Sequence, residues 1–461
     1  MKAPRLLPGL LLSTALLSFN AGFAANAKPQ AAAVDAPLMA ARVKAEFLHA
    51  WDNYVRYAWG HDELRPLSKK PYDWYGQSLL MTPVDALDTL VLMDLKPQAD
   101  RDRALIDSKL SFDKDIYVKV FEVNIRLLGG LLSGYELTGD KKLLRLADDL
   151  GTRLLPAFNT PTGLPYRFVN LKTGQVRGVN SNPAETGTLI LEFGTLSQLT
   201  NNPVFYAKAK RALVATYRHR SSIGLVGDEI NVETGKWMDT DSHISGGIDS
   251  YYEYLWKCWT LFKDEDCHAM WSTSIAAVNK YLPDEVNGAL WYGHADMKTG
   301  KRTTTEYGAL DAYFPAVLAF SGDLDRAKRL QASSYRMWDL YGIEPEVLNY
   351  RTMQVEYPGY ELRPEIVEST YYLYHFTHAS VYRERGREMF DDFLKYCRTE
   401  GGYAALKSVV TKQQRDAMES YVFAETFKYF YLLFAPPKTL EFDTVVFNTE
   451  GHPLRRLLLK P

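Results

Sequence analysis

The chain has 461 residues, among them 30 tyrosines and 9 tryptophans, and a net charge of −2 from 54 basic and 56 acidic side chains. No basic cluster larger than Arg455–Arg456 breaks that balance, which argues against a nucleic-acid partner, whose phosphates need a basic face. Three cysteines allow one disulfide at most, so stability must come from packing.

The first residues, MKAPRLLPGLLLSTALLSFNAGFAANA, combine a basic start, a Leu-rich run and small residues near Ala24 and Ala27, as a secretory signal requires. The run is shorter than the roughly 18 residues that span a membrane, and no cysteine follows it for lipid attachment. Residues 1–27 are therefore expected to be cleaved, leaving a periplasmic or secreted protein without a stable membrane anchor. Residues 28–38 read as a flexible lead-in and 39–461 as one domain. That domain exceeds the roughly 250 to 300 residues at which single cores usually split, but no linker interrupts its periodic pattern.

The period is a helical hairpin. Ala41 to Trp59 and Val84 to Leu95 supply a first outer and inner helix. Next, Ile125, Leu128, Gly129 and Leu132 follow helical spacing; after the turn Thr138-Gly139-Asp140, Leu143, Ala147, Leu150 and Leu154 share one face. The first helix of such a pair is apolar nearly all round and the second amphipathic, so the first lies inside. Further turns at Asn201-Asn202, Asp264-Glu265-Asp266, Gly322-Asp323 and near His378 repeat the unit. Counting inner helices gives seven, and predicts an all-α (α/α)7 barrel, a toroid. Inner-to-outer turns are short. Outer-to-inner connections such as 158–183 and 223–247 are long, which predicts a mouth decorated with loops. The tail 439–454, with Phe442, Val445 and Phe447 and no helical period, reads as a β-hairpin plugging the barrel. Cys258 and Cys267 are placed to bridge one helix-turn-helix, although buried free thiols satisfy the sequence equally well.

Seven acids head the inner runs: Asp85, Glu122, Glu185, Asp249, Asp311, Glu365 and Glu425. Helix N-termini favour negative charge, so parallel inner helices would bring these acids to one mouth. In Arg363-Pro364-Glu365-Ile366-Val367-Glu368, Pro364 suits the first helical position, and Glu365 and Glu368 share a face. The dipole and Arg363 would keep Glu365 ionised, which suits a general base; a capping acid paired with Arg363 is the plainer alternative. Glu122 stands among Val118, Val120, Phe121 and Val123, surroundings that raise a carboxyl's pKa and suit a general acid. Its plainer alternative is an i,i+4 ion pair with Arg126. Asp249 follows Gly246-Gly247, where backbone can approach a ligand, or it simply caps a helix. A protonated and an ionised carboxyl together are what glycosidic cleavage needs. No HExxH spacing and no G-x-S-x-G elbow competes.

The segments GHDELRP, TPVDALDTL, FEVNIRLLGGLL, PAETGTLILEF, IDSYYEYL, LRPEIVEST, FAETFKYFYLLF and VFNTEGHP resemble glycoside hydrolase family 47, the class I α-1,2-mannosidases, from about Ala41 to Leu454. The resemblance implies an (α/α)7 barrel closed by a C-terminal hairpin. It also implies a calcium-dependent, inverting exo-α-1,2-mannosidase acting on terminal mannose of mannosides or N-glycans, and a bacterial secreted, monomeric member is expected. It assigns Glu365 as base, and Glu122 and Asp249 as competing candidates for the acid. It gives Arg126, Glu185, Glu346, Arg363, Glu368, Tyr421 and Glu425 to substrate and water, and Thr449 to a Ca2+ ion at the barrel floor. Calcium suits such a site because it takes six to eight oxygen ligands. Gly247 stands where family members carry arginine or leucine, so branch preference does not carry over. Ala309 and Ala312 replace a family histidine and a family disulfide cysteine. The alternative function is a lectin-like, mannose-glycan-binding member with little turnover.

Overall fold

Outer helices begin at side chains that satisfy their first free N–H groups. Asp140 accepts from Lys142 N, Asn202 from Val204 N and Asp264 from Cys267 N. All three sit in turns expected from the sequence, and Gly139, with φ +74°, ends the helix before the first of them.

The computed structural model describes residues 34–456. Residues 1–33 and 457–461 lie outside it, including the expected signal sequence and most of the expected lead-in. The first helix opens at Ala36, within that lead-in, because Asp35 accepts from Leu38 N and caps it.

Helices alternate outer and inner along the chain. Outer α1 (Ala36–Tyr57) is followed by inner α2 (Met81–Leu92) and outer α3 (Lys96–Lys109). Inner α4 starts at Val120–Glu122, passes through a π-helical turn Val123–Leu128, and continues as Gly129–Thr138. Outer α5 (Lys141–Leu154) buries Leu143, Ala147, Leu150 and Leu154, the stripe expected of it. Then come α6 (Ile190–Thr200), α7 (Pro203–Arg218), α8 (Asp249–Phe262) and α9 (Glu265–Tyr281). The last are α10 (Phe314–Phe320), α11 (Leu324–Asp339), α12 (Glu365–Thr377), α13 (Ser380–Cys397) and α14, a π-helical Val422–Thr426 running into Phe427–Phe434. The even-numbered helices are inner. Outer α1 packs on α14 and so closes the ring, making an (α/α)7 barrel.

The long connections carry more order than loops. They fold into short antiparallel sheets, such as 117–119 with 168–170 and 176–177, or 306–308 with 347–349 and 354–357. At the opposite end, Val445–Phe447 pairs with Pro453–Arg455. This hairpin packs against both α4 and α8, so it lies within the ring, and its strands are shorter than the expected 439–454. Cys258 of α8 and Cys267 of α9 form a disulfide with Cα atoms 6.0 Å apart, and Cys397 is free and buried. No helix among the described residues is long and apolar enough to cross a membrane.

Candidate active site

A cavity of about 300 Å³ opens at the mouth, where the inner helices begin. Glu122, Arg126, Glu185, Asp249, Arg363, Glu365, Tyr421, Glu425 and Thr449 all line it. Two expected site residues stand behind the wall: Glu346 grips Arg363, and Glu368, one turn after Glu365, accepts from Tyr429 OH at 3.2 Å. The convergence of seven heading acids is corrected to five. Asp85 is buried beneath, bonded to Ser420 and His452, and Asp311 accepts from Gly308 N at 2.8 Å. Both support the walls.

Cations divide the remaining acids. Lys119 Nζ lies 3.2 Å from Glu122 and 2.9 Å from Glu185, while Arg126 Nε lies 3.2 Å from Glu122. Glu185 has a second partner in Arg167 at 3.0 Å. Burial would lift the Glu122 carboxyl, but Arg126 and Lys119 outweigh burial and hold it below the ordinary glutamate range. This overturns the expectation of a raised, acid-like Glu122: the pair with Arg126 is real, and Lys119 reinforces it.

Asp249, the first residue of α8, accepts from Ser250 N at 2.7 Å and Ser250 Oγ at 3.2 Å. Burial pushes its carboxyl up to about 7, against those hydrogen bonds and with the help of Glu253. Glu365 is pushed to about 7 as well, by burial, with Glu346 and Asp249 adding repulsion. The expectation that Arg363 keeps it fully ionised is therefore corrected. Arg363 lies 3.9 Å from Glu365 but holds Glu346 at 2.8 to 3.1 Å through two nitrogens, so its charge is largely shared away. Glu365 Oε2 is buried and without a hydrogen-bond partner among the described residues.

The floor is the turn after Val445–Phe447. Thr449 donates its backbone N–H to Tyr254 Oη at 3.2 Å, while neither its carbonyl nor its hydroxyl has a hydrogen-bond partner among the described residues. Glu425 and Glu450 line the cavity with it, and burial with repulsion from neighbouring acids raises both carboxyls, as it does that of Glu368 behind the wall. Two free oxygens amid crowded carboxylates form an all-oxygen donor set that fits a hard dication. Glu450, which pairs with Arg126 and lines the cavity, was missed in the sequence reading although it adjoins Thr449 in VFNTEGHP. The buried triad under the turn was missed too: Asp88 with Lys428 at 2.8 Å and with His452 at 2.7 Å.

The alpha-mannosidase I MNS5 of Arabidopsis thaliana is 37% identical over 448 residues, covering 90% of this chain and 77% of that one. The human ER degradation-enhancing alpha-mannosidase-like protein 2 is 38% identical over 471 residues, covering 92% and 79%. Among solved structures, the alpha-1,2-mannosidase from Trichoderma reesei superposes with a TM-score of 0.84 at 28% identity, covering 91% of this chain and 99% of that chain. The model of glycosyl hydrolase family 47 matches residues 46–456, and the chain belongs to that family.

Proposed function

We propose that the protein is a calcium-dependent, inverting exo-α-1,2-mannosidase that removes terminal mannose from mannosides or N-glycans. The observation that carries this reading is the pair of cavity carboxyls, Asp249 and Glu365, both poised at about 7 inside a family of glycosidases. A carboxyl poised there can hold or release a proton at neutral pH. Glu365 takes a proton from a water as its oxygen bonds to the anomeric carbon. Asp249 gives its proton to the departing glycosidic oxygen as that bond breaks, leaving β-mannose and a free hydroxyl. Glu122, held charged by Lys119 and Arg126, is better suited to fixing sugar hydroxyls and waters than to proton donation. Arg126, Arg363 and Tyr421 shape the wall, and Glu185, Glu346, Glu368 and Glu425 order it.

Thr449 would hold the ion through its hydroxyl and carbonyl oxygens, with Glu425, Glu450 and Glu368 nearby to orient its water ligands. When bound, calcium supplies an oxygen-seeking charge that engages neighbouring sugar hydroxyls. The basic, Leu-rich start of the sequence supports export to the periplasm or beyond.

The test is mannose release from α-1,2-mannobiose, with and without chelator, followed by proton NMR of the first-formed anomer. β-Mannose that appears only with calcium is expected. First-formed α-mannose would refute inversion, and binding without release at any calcium level would favour the lectin-like alternative.

A further inference from the structure

Beside Asp249 the cavity wall is bare backbone at Gly246 and Gly247. Gly247 has φ +97°, in the left-handed region, and a Cβ placed on it would overlap Asp228 Oδ1. The Asp228 carboxylate therefore fills the space that a side chain at position 247 would take. That space lies 3.9 Å from Nδ2 of Asn182, another lining residue, whose Oδ1 is committed to Glu185 N at 2.9 Å. The Asp228 side chain is 38% exposed, and its one basic partner among the described residues is His243, with Nε2 3.5 Å from Oδ1.

His243 is buried, and its Nδ1 accepts from Ser245 N at 3.2 Å. With Nδ1 accepting, the ring's one proton sits on Nε2, and it faces Asp228. The ring stacks on His294 with centroids 4.4 Å apart. His294 Nδ1 bonds Asp241 at 2.6 Å, and Asp241 accepts from Thr303. Asp241, His243 and His294 lie close enough together to suggest a metal site, but Ser245 N occupies Nδ1 of His243 and its Nε2 faces Asp228, so the stacked ring is held as a support for Asp228. This support is anchored to the turn that launches α8, where Asp249 N donates to Ser245 O at 3.0 Å.

We propose that Asp228 is a substrate-recognition residue: its free carboxylate oxygen accepts a hydroxyl of the sugar released as the leaving group, and His243 is its positioning residue. The inference rests on the hydrolase reading, in which Asp249 faces the departing oxygen. A carboxylate is acceptor-only, and the side-chain-free wall lets a sugar ring reach it.

The experiment measures calorimetric affinity for α-1,2-mannobiose, and for analogues lacking single hydroxyls on the reducing sugar, in a Glu365→Gln parent that keeps shape without turnover. Asp228→Ala is expected to weaken binding roughly 10- to 100-fold, the range for a hydrogen bond to a charged group. One monodeoxy analogue should show the same loss with the parent and no further loss with Asp228→Ala. Asp228→Asn, of the same shape, guards against misfolding and should lose less. For the positioning role, His243→Gln keeps a donor and should bind closer to the parent than His243→Phe. Unchanged affinity in Asp228→Ala for every analogue overturns the proposal. Turnover by the unmutated protein tests the hydrolase reading separately. If turnover is absent while Asp228→Ala still weakens binding, the recognition role stands for a binding protein, and a parent that binds no mannobiose sinks both.

Discussion

Lys428→Met tests what holds the floor of the site. Lys428 is fully buried, pairs with Asp88 at 2.8 Å and donates to Gly451 O at 2.6 Å. His452, bonded to the same Asp88, is raised to about 9: burial lowers it, but Asp88 and Asp85 outweigh burial. Asp88 is lowered to about 2 because Lys428 and His452 outweigh its burial. Removing one partner of a buried pair costs roughly 3 to 5 kcal/mol. An unfolding entropy of roughly 2.1 cal/mol/K per residue gives about 0.9 kcal/mol/K for residues 34–456, so the melting temperature should drop by roughly 3 to 6 °C. Differential scanning calorimetry reads this directly. Adding Asp88→Asn removes the uncompensated charge, so the double variant should melt above the additive expectation. The pH dependence has a definite sign. Asp88's contribution is present above its unfolded value of 3.8 and is lost as pH falls toward 2, whereas that of His452 is full below 6.5 and is lost as pH rises through about 9. A drop under about 1 °C, or strict additivity in the double variant, would refute this account of the floor.

Three further outcomes are expected. Because Glu365 must be ionised and Asp249 protonated, and both sit at about 7, kcat/KM should fall about tenfold per pH unit on either side of neutrality. A flat profile from pH 5 to 9 would count against that pair, and Asp249→Asn should remove the alkaline limb along with most of the rate. Thr449→Ala, which keeps the backbone carbonyl, should weaken calcium binding roughly tenfold, read as a smaller calcium-dependent rise in melting temperature; an unchanged rise would remove the Thr449 hydroxyl from the ligands. Gly129→Ala should destabilise by roughly 1 to 3 kcal/mol, since its Cβ would meet Asn448 and His452 in the floor turn. Gly134→Ala meets only the flexible ends of Leu87 and Leu143, so urea unfolding should place it nearer to neutral.

The barrel was legible because its inner helices are apolar on every face, a pattern with few other uses, and because Asp140, Asn202 and Asp264 punctuate the hairpins. Most of the cavity lining was legible through motifs. Charge states were not. Lys119 stands three residues before Glu122, visible in the chain, but its hold on Glu185 depends on a contact across two loops. Arg363 beside Glu365 looked like a local guard, until Glu346, 17 residues earlier, took its guanidinium. The mouth sheets escaped notice because strands of two to four residues are too short for a period to show. The π-helical turns at Val123–Leu128 and Val422–Thr426 have no local signal either, although such turns gather at functional sites.

The distribution of cations explains how so many acids share one mouth without being interchangeable. Lys119, Arg126 and Arg167 neutralise Glu122 and Glu185, and Arg363 neutralises Glu346. Each of these carboxylates is matched by a cation, and they are suited to holding hydroxyls in place. Among the described residues Asp249 has no such partner, only hydrogen bonds from Ser250, and Glu365 has the outlying third nitrogen of an occupied guanidinium. Burial can therefore lift these two to about 7, where a carboxyl exchanges a proton near neutrality, while burial and repulsion from Glu450 and its neighbours raise Glu425 well above the ordinary glutamate range. The sequence places all five identically, at the heads of apolar helices. Their division of labour arises from which wall loop brings a lysine or arginine within reach, so a substitution in a loop basic residue such as Lys119 can reassign a carboxyl's role without touching the barrel.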